Sequence, residues 1–534
     1  LYFSGIMLVL SATIPQAFTE FRWLHSLNPL KFHFIIQFPS ILLGFLLIIM
    51  GRGIAARVKR AYLPTIFLIV LALLYVLLSD FSFTPVVFLS ILLLIILASK
   101  NELFREQLIY SWEWRTIDGI IIGALSLLYI VIGVYNLPDF PHRRHHFISF
   151  FLFPSEKIWF SGLLAIIAVS FMIVLFVHFL QGEKKQIGEA FNEEKALKIL
   201  TTYGGNSDSQ LIFLKDKRMF AYEKDGEPTV LLQFACFNNK CIVMGDPSGK
   251  KEDFPEAIEA FIEETDRLCY LPVFYETSEE IVMILHEFGY DFIKMGEEAY
   301  VDLNSFTTSG KKMKGTRAVL NRIEREGFTF DVLQPPFSAE QMSIFKNISD
   351  NWLGSRKEKG FSLGFFSEDY LQRAPIAVVK NTQEEIVAFA TIMPTYTNNK
   401  VGTIDLMRYD SKKAPSGSMD FLFLHLFAYM KEEHIQWFNL GMAPLSNVGT
   451  SRKSFLQERI AYLVYEFGSH FYSFHGLREY KSKYATNWVS RYTLYSRDSW
   501  IAYVMIALLI IDNAPVEQTQ GRISGLKKWI RRKY

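Results

Sequence analysis

Five apolar runs, at residues 34–50, 61–79, 83–98, 119–135 and 160–180, constrain this chain more than any other feature. Each approaches the roughly 20 residues that a helix needs to cross a bilayer. Lipid offers no partner to a backbone N–H or C=O, so runs of this kind can be satisfied there only as helices. No Asp, Glu, Lys or Arg lies inside them; Asp118 and His178 fall at their ends, so nothing marks an ion or proton path. A shorter run, 6–18, contains Pro15 and reads as the tail of a lost span or a re-entrant piece. Leu1-Tyr2-Phe3-Ser4-Gly5 resembles the scar of a cleavable purification tag and is set apart from the fold.

Charge between the runs sets their sidedness. The loop after the first run carries Arg52, Arg57, Lys59 and Arg60, and the loop after the third carries Lys100, Arg105 and Arg115. Cationic loops stay in the cytoplasm, so alternation puts residues 136–157 outside and everything after residue 180 in the cytoplasm. His142, His145 and His146 in the outer loop lack the spacing of a metal shell. The overall net charge of +2 averages two unlike regions and decides nothing. Cys236, Cys241 and Cys269 fit neither a disulfide framework nor a zinc ribbon, which points to free thiols in a reducing compartment.

The region after residue 181 alternates helix and strand signals in two blocks. In the first, residues 189–203 read as a helix, then 210–214, 218–223, 229–235 and 240–244 as strands. A helix over 254–269, a strand over 271–276, a helix over 278–288 and a strand over 299–302 complete it. The second block repeats the order: helix 338–353, strands 376–379, 386–395 and 402–408, helix 418–434, strand 435–440, helix 452–465 and strand 470–474. That order is the order of a GNAT-type acyltransferase, and two copies in tandem is the simplest arrangement. The expected domains are a tag remnant at 1–5, a transmembrane region of about five spans at 6–181, a first GNAT-like domain at 182–307, a basic linker helix at 308–327, a second, catalytic GNAT-like domain at 328–498, and an apolar and basic helical segment at 499–534. The fold class is thus a multi-pass α-helical membrane region followed by a cytoplasmic α/β (α+β) tandem GNAT-like domain.

An acetyl-coenzyme-A enzyme of this fold holds the pyrophosphate on a Gly-rich turn. Gly245-Asp246-Pro247-Ser248-Gly249 places an acid where phosphate would sit, and Ala414-Pro415-Ser416-Gly417 lacks the spacing. Another acyl donor is needed. The segment from Lys311 to Arg325, with Lys312, Lys314, Arg317 and Arg322, is either a solvated helix face or a surface for the phosphates of tRNA or anionic lipid. The run Phe438 to Ser446 reads as a strand ending in a Gly, Ala, Pro and Ser loop, where unpaired backbone groups can serve a ligand.

Four ordered motifs give a specific resemblance. Thr403-Ile404-Asp405-Leu406-Met407-Arg408, Gly417 to Phe423, Phe438 to Ser446, and Phe471 to Lys483 resemble the bacterial phosphatidylglycerol lysyltransferases, also called lysylphosphatidylglycerol synthases or multiple peptide resistance factors. The basic run from Lys314 to Arg322 is similar to that family's linker helix. Thr486 and Ser490 stand where prolines are expected around Trp488. The resemblance implies transfer of an aminoacyl group, lysyl by default and alanyl as the other option, from aminoacyl-tRNA to phosphatidylglycerol. It implies a less anionic bacterial cell membrane with resistance to cationic antimicrobial peptides, no cofactor and no metal, and a possible homo-oligomer.

The resemblance makes Asp405 the carboxylate that orients the aminoacyl ammonium or the hydroxyl, with Arg408 on phosphate. Three residues apart on a strand, they point to opposite faces unless a bulge intervenes, and a purely structural ion pair is the other reading. Asp420 opens a helix, where a dipole-favoured acid is ordinary. Asn439, Met442 and Ser446 line the loop; Lys481 and Lys483 follow a strand on one side and suit phosphate; Arg491 joins the substrate-binding set; His475 is either a proton carrier or a satisfied loop histidine. Residues 500–511 are apolar but too short to span, and Lys527, Lys528, Arg531 and Arg532 follow them. Two rival functions are a tRNA-dependent peptidoglycan-precursor aminoacyltransferase and a non-enzymatic lipid transporter or sensor.

Overall fold

The computed structural model describes residues 1–13, 37–79, 83–135, 156–311, 313–398, 400–460, 474–497 and 499–514. The chain forms two compact units, residues 1–186 with 264–270, and residues 187–263 with 271–534.

In the first unit the helices are α1 (Tyr2–Thr13), α2 (Gln37–Ala55), α3 (Tyr62–Ser79), α4 (Phe83–Ala98), α5 (Trp112–Tyr135) and α6 (Glu156–Gln181). All five expected apolar runs are helical over their described residues. Among the described residues, three stretches are long and apolar enough to cross a membrane: Lys59–Leu77, Trp112–Ile132 and Gly162–Gln181. The segment set apart as a tag scar is continuous with α1. There Gly5 meets Gly44 of α2, where an added Cβ would lie 2.5 Å from the Gly44 oxygen; small residues let the two backbones approach. Asp118, expected only at the end of a run, lies inside α5 and is buried. It takes Arg52 of α2 on both oxygens, at 3.0 and 2.7 Å, with the Tyr2 and Tyr110 hydroxyls also donating. The outer-loop histidines lie outside the described residues.

The second unit is built on one 12-stranded sheet. Its elements, in chain order, are α7 (Glu193–Tyr203), β1 (Arg218–Lys224), β2 (Glu227–Phe237), β3 (Lys240–Met244), β4 (Ser248–Gly249), α8 (Phe254–Arg267), β5 (Leu271–Thr277), α9 (Glu279–Glu287), β6 (Tyr290–Asp302), α10 (Lys314–Arg325) and β7 (Thr329–Leu333). Then follow α11 (Ala339–Leu353), α12 (Glu368–Leu371), β8 (Ile376–Lys380), β9 (Ile386–Met393), β10 (Val401–Tyr409), α13 (Ser418–Glu432), β11 (Trp437–Pro444), α14 (Phe474–Ser482), β12 (Asn487–Ser496) and α15 (Ile501–Asp512). The sheet order is β1-β2-β3-β5-β12-β6-β11-β10-β9-β8-β7, with β4 paired to β2 off this path. The last strands of the two blocks are therefore exchanged. β12, from the second block, sits between β5 and β6 of the first, and β6 pairs with β11 of the second. A tandem of helix–strand blocks is present, and the blocks share their ladder.

Several sequence expectations are corrected. Residues 210–214, expected as a strand, form a 3-10 turn because Asn206 and Ser209 supply local side-chain bonds that compete with a ladder. The supposed loop after Leu440 is strand: β11 runs to Pro444 through a bulge, with Gly441 at φ 80°. Phe474, expected to end a strand, opens α14; of the helix expected over 452–465, residues 456–460 are helical, and residues 461–473 lie outside the described residues. Lys481 and Lys483 accordingly follow no strand: Lys481 is on α14 and Lys483 just beyond it. β7 and β12 were not anticipated. α15 is a core helix, with Val504, Ala507, Leu508 and Ile511 buried, and the C-terminal cations beyond it lie outside the described residues.

Candidate functional site

Each block has one parallel strand pair, and the two pairs differ. β3 and β5 stay in register over five residue pairs, and Gly245 N–H continues the ladder to Tyr275 O at 2.8 Å. β10 and β11 pair only at Val401/Trp437, Gly402/Phe438 and Thr403/Asn439. Past that point β10 bulges against β9 between Ile404 and Met407, and β11 bulges against β6 between Asn439 and Met442. Strand ends that part at their carboxyl side leave a cleft there, the usual ligand position in open α/β sheets. The second block therefore carries the opening.

Asp405 lies in the β10 bulge. Its carboxylate accepts from Gly364 N–H at 2.9 Å and from the Tyr370 hydroxyl at 3.0 Å. Gly364 has to be glycine, since a Cβ there would collide with that carboxylate. Burial raises the Asp405 pKa, while Tyr370, Gly364, Lys217 and Arg408 pull it down. The bulge supplies the extra residue that the expected geometry required. Arg408 is nevertheless not bonded to Asp405: its Nη2 pairs with Glu358 at 3.0 Å and its guanidinium stacks 3.9 Å over Trp352. Its buried Nε–H has no partner among the described residues.

On the other lip Asn439 is a hub, 1 % exposed. Its amide donates to Glu298 at 2.6 Å and to Ser207 at 3.0 Å, and its oxygen accepts from Gly441 N–H at 2.7 Å. The second Glu298 oxygen takes Arg491 Nε at 2.7 Å and the Tyr300 hydroxyl at 3.0 Å. Arg491 also lies 3.6 Å from Asp246. Lys481 reaches Met442 O at 2.7 Å, and burial pushes its pKa down to about 8 against the pull of Glu298 and Glu276.

Carboxylates accumulate around these groups. Burial, with Glu298 as the nearest like charge, pushes Asp208 up to about 7, and Asp246 and Asp405 add to the repulsion. Glu276 is raised well above the carboxylate range by burial and by Asp208. It holds φ 62° in β5, a left-handed conformation that is costly for a residue with a Cβ. Asp246, raised by burial, accepts Ser278 N–H at 2.8 Å and so caps α9. The acid anticipated in that turn thus caps α9 and not α8, the helix that follows the turn. In the second block, Arg322 of α10 donates to Ser416 O at 2.5 Å just before α13, the counterpart of α8.

Of the residues expected to form the site, Asp405, Arg408, Asn439, Met442, Lys481 and Arg491 border the opening or its polar surround. Asp420 and Lys483 instead meet each other, 3.7 Å apart, with the Tyr484 hydroxyl donating to Asp420. Ser446 is fully buried, its hydroxyl without a partner among the described residues. His475 falls on α14. On α10, Arg317 is bound to Gly310 O at 2.9 Å, and Arg322 to Glu326 and Ser416, whereas Lys314 and Arg325 of α10 and Lys311 before it are exposed; Lys312 lies outside the described residues. Asp208, Glu276, Glu298, Tyr300, Glu358 and Tyr370 were missed. Their positions carry no local signature: Glu298 and Tyr300 reach the opening through the pairing of β6 with β11, and Tyr370 and Glu358 through their bonds to Asp405 and Arg408.

The sequence profile of the family described as "Phosphatidylglycerol lysyltransferase, C-terminal" matches residues 197–495. The phosphatidylglycerol lysyltransferase of Bacillus subtilis (strain 168) is 40% identical over 466 residues, 86% of this chain and 53% of that protein. That of Staphylococcus aureus (strain COL) is 34% identical over 459 residues, 85% of this chain and 53% of that protein. This chain therefore spans about half the length of these curated relatives. Among solved structures, L-PGS from Bacillus licheniformis is 48% identical, with a TM-score of 0.55 over 61% of this chain and 99% of that one. The C-terminal domain of a putative lysylphosphatidylglycerol synthetase from Agrobacterium fabrum is 32% identical, with a TM-score of 0.53 over 60% and 96%.

Proposed function

This chain belongs to the phosphatidylglycerol lysyltransferase family, and on that premise we propose that it moves a lysyl group from charged tRNA to phosphatidylglycerol at the opening between β10 and β11. The observation that carries the reading is the charge balance there. Asp208, Asp246, Glu276, Glu298 and Asp405 interact with one another there, against the cations Arg491, Lys481, Lys217 and Arg408. A surplus of desolvated carboxylate favours a cationic ligand, and a lysyl ester brings two ammonium groups.

The reaction is ester exchange. A glycerol hydroxyl of the lipid attacks the lysyl carbonyl carbon, the bond to the tRNA ribose oxygen breaks, and the proton lost by the glycerol ends on that ribose oxygen. The donor ester is already activated, so positioning and proton transfer supply most of what is required. Asp405, fixed by Tyr370 and Gly364, holds the α-ammonium or orients the attacking hydroxyl. Lys481, with a pKa near neutral pH, carries the proton. Arg408, held by Glu358 and Trp352 with one N–H to spare, takes a phosphate oxygen. Lys311, Lys314 and Arg325 track the acceptor-arm phosphates of the tRNA.

The helical unit anchors the enzyme in the bacterial cell membrane, with the transferase unit on the cytoplasmic side where charged tRNA is present. The product is a less anionic lipid that attracts cationic peptides more weakly. The test is to supply the protein with phosphatidylglycerol vesicles and a panel of charged tRNAs. Aminoacylated lipid extractable into organic solvent supports the reading; free amino acid alone, with every tRNA, refutes it.

A further inference from the structure

The helical unit contains a groove of about 660 Å³ between α2, α3 and α6. Its walls are apolar for most of their length, with Leu46 from α2, Phe67 and Leu71 from α3, and Met172 and Phe176 from α6. At one end the lining changes character, where Lys59 and Arg60 border it on consecutive positions. Both are exposed. Three acids of this unit are committed elsewhere: Asp118 to Arg52, Asp266 to Arg105, and Glu106 to Lys185 and Arg267.

Arg60 is also held in place. Its guanidinium lies against Gly182, immediately after α6, where an added Cβ would come within 2.6 Å of the Arg60 Cζ. Gly182 has φ 61°, so glycine relieves both the backbone and the space problem. The arginine thus reaches from the start of α3 to the end of α6 and forms one side of the mouth. Convex helix surface in a bilayer meets bulk lipid without selection. A concave slot with two cations at one end selects for length and for charge together.

We propose that this groove holds one acyl chain of an anionic phospholipid, with the phosphodiester of the same molecule at Lys59 and Arg60. The chain runs past Phe67 and Leu71 on one wall and Met172 and Phe176 on the other. The phosphate takes charge-assisted hydrogen bonds from the guanidinium and the ammonium. A zwitterionic lipid fits the apolar part equally well, but its own cationic head opposes the mouth. The inference does not depend on the transfer reaction, because it concerns occupancy of the helical unit alone.

The test uses the full chain in phosphatidylcholine bilayers containing a trace of phosphatidylglycerol with a photoactivatable group in its acyl chain. Labelled residues are mapped by mass spectrometry. Labelling is expected on the peptides holding Phe67, Leu71, Met172 and Phe176, competed by unlabelled phosphatidylglycerol and not by added phosphatidylcholine. The exposed-site double variant Lys59→Gln/Arg60→Gln should lower it about tenfold, roughly the 1.4 kcal/mol of a decade in affinity, while Lys100→Gln leaves it unchanged. Elution volume and thermal transition report whether each variant is folded. Labelling competed equally by phosphatidylcholine, or unaltered in the double variant, overturns the proposal. Lysyl transfer, measured separately on the same samples, moves independently: a chain that transfers lysine without groove labelling refutes only the groove.

Discussion

Glu298 and Arg491 lie on neighbouring antiparallel strands that come from different blocks of the chain, and they pair at 2.7 Å. Glu298 is 6 % exposed and holds Asn439 on its other oxygen. One ion pair therefore links the exchanged strand β12, the first block's β6 and the lip of the opening on β11. Removing one member leaves a buried charge uncompensated. Glu298→Gln should lose about 3–5 kcal/mol of stability, read as a lower thermal transition of the purified chain. A transition within one degree of the parent would show that the pair does not hold the blocks together.

Tyr370 lowers the Asp405 pKa by donating to its carboxylate. Tyr370→Phe removes that donor, so the Asp405 pKa rises further. If ionised Asp405 is needed, the acid limb of the pH–rate profile moves to higher pH, with activity recovered as pH increases. An acid limb that stays in place would assign it to another group.

Gly364 presses against Asp405 with no space for a side chain. Gly364→Ala should displace the carboxylate and reduce transfer about 10²-fold, the scale of a misplaced positioning group, with a smaller effect on KM for tRNA. Retained activity would mean that the Asp405 position is not critical.

Burial pushes the Asp208 carboxyl up to about 7 in the folded chain, from an ordinary value of 3.8. Between those values the native state binds more protons than the unfolded state, so stability falls as pH rises through that window. Asp208→Asn should therefore raise the thermal transition at pH 8 and leave it nearly unchanged at pH 4. Equal gains at both pH values would rule out this titration as the cause.

Lys311, Lys314 and Arg325 are the exposed cations of the basic segment among the described residues named here. If they contact tRNA phosphates, apparent affinity falls with salt, and each lost contact flattens the log–log slope by about 0.7–0.9. Replacing all three by Gln should lower the slope by about 2–3. An unaltered slope would leave the segment as a solvated helix face.

Much of the fold is legible in the sequence because it rests on periodic burial. The five apolar helices, the amphipathic α8 and α13, and strands such as β2 and β9 all follow from spacing. The site is less so. β12 was missed because Asn487, Ser490 and Arg491 interrupt its apolar alternation, and Arg491 turns its charge toward Glu298 rather than toward water. β11 was cut short at Leu440 because Gly441 and Pro444 resemble a loop ending, while the bulge that accommodates Gly441 depends on pairing with β6. Asp405 and Arg408 were found through a motif resemblance. Glu276, Glu298 and Tyr370 become neighbours of the site only through tertiary packing, which no local pattern encodes.

Selection of the transferred group tests the account most directly. The ratio of kcat/KM for lysyl-tRNA over alanyl-tRNA at pH 8, with phosphatidylglycerol as acceptor, should favour lysyl in the parent chain and fall at least tenfold in Asp208→Asn, whose carboxyl, pushed up to about 7, is ionised at that pH and belongs to the surplus around the opening. A parent chain without that preference, or a ratio unchanged by Asp208→Asn, would contradict the claim that the carboxylates around the opening read a dicationic lysyl group.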